Sequence, residues 1–205
     1  MPICRAVLFD CGGVLFDFDQ ERRLAALAEA SGLAADRIKA RIWNSGLDAA
    51  ADRGEISLPT LCERLNRALE KEFNETRLIA LMTSAFTIKP DVLSLARQIR
   101  ADIIKGTLTN NGPLIELGLG RQFPELVAAI PHHRYFSFQF GETKPARTLF
   151  QSVAVAIGLP GPEILFVDDS KKNIDGAQAA GWQAIRFTGA DELAIELHGL
   201  GLLTT

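Results

Sequence analysis

The chain has 205 residues, 47% hydrophobic and 23% charged, close to the globular average, which excludes disordered, collagen-like and low-complexity classes. Lysine plus arginine number 22 and aspartate plus glutamate 25, a net charge of −3. No long basic run neutralises a phosphate backbone, so nucleic acid is not an expected partner.

The length fits one domain, or one domain carrying a sizeable insertion. At the N-terminus Arg5 and a short apolar run meet Asp10 almost at once, which is neither a signal peptide nor a membrane span. A cytoplasmic protein without membrane partners is expected. Cys4, Cys11 and Cys62 are odd in number and lack C-x-x-C spacing, so they read as core or near-core thiols rather than disulfide or zinc ligands. Asn74-Glu75-Thr76 fits a glycosylation pattern, but Asn74 reads better as a helix N-cap.

Residues 4–9 form a short apolar run ending in Asp10 and Gly12-Gly13, the pattern of a buried strand followed by a tight turn. From Glu21 to Arg100 the spacing turns helical, through Leu24, Leu27, Ile38, Ile42, Leu61, Leu65, Leu78 and Leu81. Ser31-Gly32 closes the first helix, Thr60 with Glu63 predicts a capping box, and Pro90 opens a further helix. A second strand spans 103–109 and ends in Asn110-Asn111-Gly112-Pro113, strong turn chemistry. Strands at 135–138, 164–167 and 183–187 then alternate with helices at 146–157, 174–180 and 192–198.

Repeated βα units predict an α/β fold with a doubly wound parallel sheet. Residues 10–102 separate the first two strands, far more than the dozen or so a simple crossover needs. Residues 18–86 are therefore read as an inserted helical-bundle cap, leaving 1–17 and 87–205 as the α/β core. The insertion leaves from the carboxyl end of the first strand, where open α/β sheets bind ligands.

Four features fall at predicted strand ends: Asp10, Thr109, Lys144 before Pro145, and Asp168-Asp169. Each alone has a plainer explanation: strand-end aspartates often serve turns or caps, Asp168-Asp169-Ser170 suits a helix start, and Lys144 suits an exposed loop. Neither caps nor loops explain why all four share one edge. Three crowded carboxylates want a cation, and an all-oxygen site suits Mg²⁺. One carboxylate can then act as a nucleophile while Thr109, Lys144 and turn amides hold a phosphoryl group. The expected chemistry is phosphoryl transfer from a small phosphorylated metabolite through an aspartyl-phosphate.

In order along the chain, Val7-Leu8-Phe9-Asp10-Cys11-Gly12-Gly13-Val14-Leu15, Leu108-Thr109-Asn110-Asn111, Lys144-Pro145 and Phe166-Val167-Asp168-Asp169-Ser170 resemble the four motifs of the haloacid dehalogenase superfamily. The resemblance implies Asp10 as nucleophile, Thr109 and Lys144 as phosphate holders, and Asp169 as direct magnesium ligand supported by Asp168. It also implies a metal contact from the Gly12 carbonyl. The Asp-x-Gly-x-Val form, Asp17-x-Asp19 and Arg53-Gly54-Glu55-Ile56-Ser57 resemble a bacterial subgroup that includes α-glucose-1-phosphate phosphatase.

The chain departs from the family where a general acid usually stands, two positions after the nucleophile, since that position is Gly12. A site without its own acid should favour a good leaving group such as an anomeric hydroxyl; Asp17 and Asp19 are candidate substitutes, or hinge and helix-start residues. Asn110, Asn111, Trp43 and Glu55 are candidate substrate contacts. Cys11 lacks the arginine of a Cys-x5-Arg phosphatase loop, and His132-His133 read as loop residues rather than metal ligands. Trp182 reads as packing.

Three alternatives remain. Metal-free dehalogenation by Asp10 is opposed by the acidic pair, and a signalling receiver by the motif order. A binding protein without catalysis is kept open by Gly12. No heptad seam or long exposed apolar strand indicates an oligomeric state.

Overall fold

Successive side chains of a strand point to opposite faces of its sheet, and in the first strand, β1 (Ala6–Phe9), every one is fully buried. Such a strand has a covered layer on both sides, the condition of a parallel sheet in a doubly wound fold. The structure, a computed structural model, describes residues 4–131 and 133–204. The sheet has the order β5-β4-β1-β6-β7, with β4 Ile104–Thr109, β5 His133–Phe136, β6 Ile164–Asp168 and β7 Gln183–Arg186. All its pairings are parallel.

Ala6, Leu8, Leu108, Ile164 and Phe166 pack on one face with Leu149, Phe150, Ile174 and Ala177. Those partners come from α9 (Arg147–Ile157) and α10 (Lys171–Ala179). Val7, Phe9, Leu165 and Val167 belong to the opposite face. Covering it are α6 (Pro90–Gln98), α7 (Pro113–Gln122), α8 (Pro124–Ala129) and α11 (Ala190–Gly199). The register pairs Phe9 with both Thr107 and Val167, so the carboxyl ends of the three central strands finish together.

After β1 the chain turns tightly, with Phe16 N–H donating to the Cys11 carbonyl at 2.9 Å and Gly13 N–H to that of Phe16 at 2.8 Å. It then forms β2 (Phe16–Phe18), antiparallel to β3 (Phe86–Ile88), with Phe18 opposite Phe86. Between these strands lie α1 (Gln20–Ser31), α2 (Ala35–Ile42), α3 (Leu47–Asp52), α4 (Leu58–Leu69) and α5 (Glu75–Thr83). Their buried leucines and isoleucines join the apolar cluster on the second face of the sheet. Gly118 on α7 lets that helix approach Ile79 and Thr83 of α5, where a Cβ would overlap the Thr83 methyl.

Gly32 ends α1 in the left-handed region at φ 77°, and Asn74 caps α5 by accepting from Arg77 N–H at 2.9 Å, both as expected. Other boundaries moved. Ser57, not Thr60, caps α4, which carries Pro59 in its first turn, and Glu63 instead pairs with Arg67 one helical turn on. His133 opens β5 rather than lying in a loop, and that strand begins and ends two residues before its predicted span. His132 lies outside the described residues. The β2–β3 ladder and helices α7 and α8 had no separate prediction.

Phe166 is fully buried under the carboxyl edge, its ring 5.6 Å from Phe150 and 6.3 Å from Trp182. Phe166→Ala is expected to lower unfolding free energy by about 3–5 kcal/mol, measurable by denaturant titration with an unchanged slope.

Candidate active site

Asp10 follows β1, Thr109 ends β4, Asp168 ends β6 with Asp169 next, and Lys144 comes from the loop before α9. The structure brings all of them together. Lys144 Nζ sits 2.9 Å from Asp10 Oδ1 and 2.7 Å from Asp168 Oδ2, with its ammonium 5.1 Å from the Phe166 ring centre. Ligand oxygens of Asp10, Asp168 and Asp169 all lie within 4.8 Å of one another.

The three carboxylates are not equivalent. Asp168 is fully buried and accepts from Lys144 Nζ, Ser170 N–H at 2.8 Å, and Asn173 Nδ2 at 3.1 and 3.0 Å. Its oxygens are largely committed to the protein. Asp169 is exposed, and its carboxylate has no hydrogen bond or ion pair among the described residues. Asp10 Oδ1 accepts from Cys11 N–H at 2.7 Å. An oxygen-only set with one open carboxylate and one braced by neutral and cationic donors fits a hard divalent cation such as magnesium.

Burial pushes the Asp10 carboxyl up to about 6, with Lys144 opposing and Asp168 adding to the rise. For Lys144, burial pulls downward but Asp10 and Asp168 outweigh it, so the ammonium is held above its ordinary range. Burial and the Asp10 charge raise the Cys11 thiol to about 12, which keeps it protonated and supports its reading as a neighbour only.

Asn110 clamps the lysine loop: its Nδ2 donates to the Lys144 carbonyl at 3.0 Å and its Oδ1 accepts from Lys144 N–H at 2.7 Å. Asn111 Nδ2 donates to Thr109 Oγ1 at 2.8 Å, leaving the threonine O–H to donate elsewhere. Both asparagines line the cleft, of about 480 Å³, that contains Asp10, Gly12, Lys144 and Asp169. Asp17 also lines it, paired with Lys89 Nζ at 3.0 Å, whereas Asp19 is the N-cap of α1. Glu55 is exposed, pairs with Arg53 and does not line the cleft. Trp43 lines a neighbouring cavity, and Trp182 is buried in the core.

The sequence profile of the haloacid dehalogenase-like hydrolases matches residues 4–181. The chain belongs to this family. A phosphatase of Mycobacterium tuberculosis is 30% identical over 191 residues, 87% of this chain and 85% of its own. A D-ribitol-5-phosphate phosphatase of Bacteroides thetaiotaomicron is 24% identical over 204 residues, 94% of this chain and 98% of its own. A solved haloacid dehalogenase family enzyme of the same organism, in complex with magnesium and inorganic phosphate, has a TM-score of 0.77 at 22% identity, covering 90% of this chain and 94% of that one. At that identity the likeness is one of fold.

Within this haloacid dehalogenase-like hydrolase two neighbouring glycines do different things. Gly13 has φ 82°, and a Cβ there would overlap the Asp169 carboxylate, so only glycine leaves that group in place. Gly12 is unconstrained: a Cβ would meet nothing closer than Phe18 Cβ at 3.6 Å. Asn173, which the motif reading missed, was detectable only as a polar residue one helical turn after Ser170.

Lys144→Met leaves two buried carboxylates unneutralised and is expected to cost about 3–5 kcal/mol of stability at pH 7.5 without added metal. The native pKa of Asp10, about 6, lies above its ordinary 3.8, so its ionisation opposes folding, and that opposition grows as pH rises between those values. Without the lysine the native value moves higher still. The loss in the variant should therefore shrink from pH 7.5 to 5, as denaturant titrations across pH would show.

Proposed function

We propose that this hydrolase is a magnesium-dependent phosphatase acting on a small phosphorylated metabolite, with residues 18–86 as a cap over the site. The observation that carries the reading is the cluster of Asp10, Asp168 and Asp169 around a fully buried lysine. The phosphatase names of the relatives support it, as does the magnesium and phosphate bound to the structural neighbour.

Asp10, Asp169 and the Gly12 carbonyl would hold magnesium, with Asp168 as support. When bound it supplies positive charge that lets a phosphate dianion approach carboxylates and offsets charge in the transition state. An Asp10 oxygen attacks phosphorus in line with the ester oxygen. The new O–P bond forms as the ester O–P bond breaks, and the leaving oxygen departs with its electron pair and takes its proton from solvent water. Lys144 and the Thr109 hydroxyl hold phosphoryl oxygens during this step. Water then attacks the phosphorus of the aspartyl-phosphate; its O–P bond forms as the Asp10 O–P bond breaks, one proton passes to solvent, and inorganic phosphate leaves with the Asp10 carboxylate regenerated.

With glycine at position 12, no side chain there protonates the leaving oxygen. Asp19 is committed as a helix cap, and Asp17 is held by Lys89. The site then suits a leaving group that needs little help, such as an anomeric hydroxyl, and sugar 1-phosphates should turn over faster than sugar 6-phosphates.

Phosphate release from a panel of sugar phosphates and an aryl phosphate should require magnesium, stop with EDTA, and fall to background in Asp10→Asn. Chloride release from a 2-haloacid in EDTA would favour dehalogenation instead. Because a Cβ at position 12 would make only ordinary contact with Phe18, Gly12→Asp should fold normally. It should raise kcat on alkyl phosphates by about 10²-fold, the scale of a positioned general acid, and narrow the gap between 1- and 6-phosphates.

A further inference from the structure

We infer that a cavity on the inserted helices, apart from the cleft containing Asp10, binds a small polyanion, a metabolite carrying two or more phosphate or carboxylate groups. The inference does not depend on the phosphatase reading. The cavity, of about 510 Å³, is of small-metabolite size. It lies among α2, α3 and α4 and shares no described lining residue with the cleft. Its lining holds three arginines, Arg41, Arg64 and Arg67, and, among the described residues, no aspartate or glutamate. In a chain of net charge −3, that is a local excess of positive charge.

Two helices supply the charge. Arg64 and Arg67, three residues apart, share one face of α4. Arg41 reaches over from the last turn of α2, its Nη1 donating to the Ala68 carbonyl at 3.1 Å and to Glu70 Oε1 at 2.8 Å. Glu70 does not fully neutralise it, since the same oxygen accepts from Arg37 Nη2 at 2.6 Å. Arg67 gives Nη2 to Glu63 at 2.9 Å, and Arg64 has no side-chain hydrogen bond or ion pair among the described residues. Each guanidinium has five N–H donors, so most of those around the cavity are left for solvent or a ligand. Arg64 and Arg67 are exposed and the Arg41 side chain is one-third exposed, at 34%, so an anion can reach all three.

Leu47, Ala50 and Ala68 give the cavity an apolar wall. Guanidinium forks match the paired oxygens of carboxylate and phosphate, and three of them from two helices suit at least two anionic groups on a short frame. A cation would be repelled, and an uncharged polyol would leave the excess charge unneutralised.

The test is titration of the magnesium-free protein with citrate, inorganic pyrophosphate, inorganic phosphate and glycerol, followed by calorimetry and by amide chemical shifts. Citrate or pyrophosphate, whichever of carboxylate and phosphate the forks prefer, should bind at one site about tenfold or more tighter than phosphate, and glycerol should not bind. Shifts should centre on residues 45–50 and 64–68, around the cavity. Arg64→Gln and Arg67→Gln, at exposed positions of α4, should fold normally and each weaken binding about tenfold, the scale of one lost hydrogen bond between charged groups. Asp10→Asn should leave it unchanged.

Three outcomes would overturn the site: neither citrate nor pyrophosphate binding with a Kd below about 1 mM, shifts centred on the cleft that both arginine variants leave intact, or equally weak binding of every anion, chloride included, which is an adventitious ion only. Self-association of the wild type that either arginine variant abolishes would make this face an interface between copies and overturn it likewise.

Discussion

One ammonium group, Lys144 Nζ, holds two buried carboxylates at 2.9 and 2.7 Å, and much of the structure is arranged to keep it there. Asp10 and Asp168 end neighbouring parallel strands, so the sheet register itself forces the two charges together. Without a cation between them, their desolvation and mutual repulsion would oppose closure of the sheet edge. The fold meets this by clamping the lysine from both ends: the Asn110 amide grips its backbone and the Phe166 ring lies beneath its ammonium. The proposed catalytic groups are thus also a folding constraint, and substitutions there change stability as well as turnover.

The same strand edge fixes the inserted helices. Ser137 Oγ donates to the Asp52 carbonyl at 2.6 Å and accepts from Asn111 N–H at 3.1 Å. One hydroxyl thereby ties the end of α3 to the loop after β4. A Cβ on Gly112 would crowd Ala51 at 3.0 Å, so the glycine of that loop is what allows α3 so close. The cavity lined by Arg23, Asp48, Asp52, Asn110 and Asn111 lies at this junction.

The doubly wound sheet was legible because parallel strands buried on both faces leave continuous apolar runs, such as residues 4–9 and 164–167, and Asn-Asn-Gly-Pro punctuates the second strand unmistakably. The inserted helices were legible from 3.6-residue spacing and from the excessive separation of the first two strands. The β2–β3 ladder was not, since three-residue strands have too little periodicity to register and their partners lie a whole insertion apart in sequence. The strand at 133–136 was misplaced because Phe138, beyond its last residue Phe136, extends the aromatic signal into a 3₁₀ turn. In the site, Asp10, Thr109, Lys144 and the acidic pair stood out by chemistry and strand-end position. Arg23 and Asp52 did not, because a charged residue on an amphipathic helix looks solvent-facing until the packing of another element shows it is covered.

Gly12 and Gly13 show how much sequence identity alone conceals. Both follow the same aspartate, and both would be read from the sequence as one flexible turn. The positive φ of Gly13 and the Asp169 carboxylate beside it make that position sterically obligatory, a constraint of geometry that no other residue relieves. Gly12 has no left-handed φ, and a Cβ there would make only ordinary van der Waals contact with Phe18, 3.6 Å from its Cβ, so neither torsion nor contact bars a Cβ at this position. Under the proposed reaction, a glycine here leaves no acid beside the leaving oxygen, so hydrolysis depends on the leaving group itself.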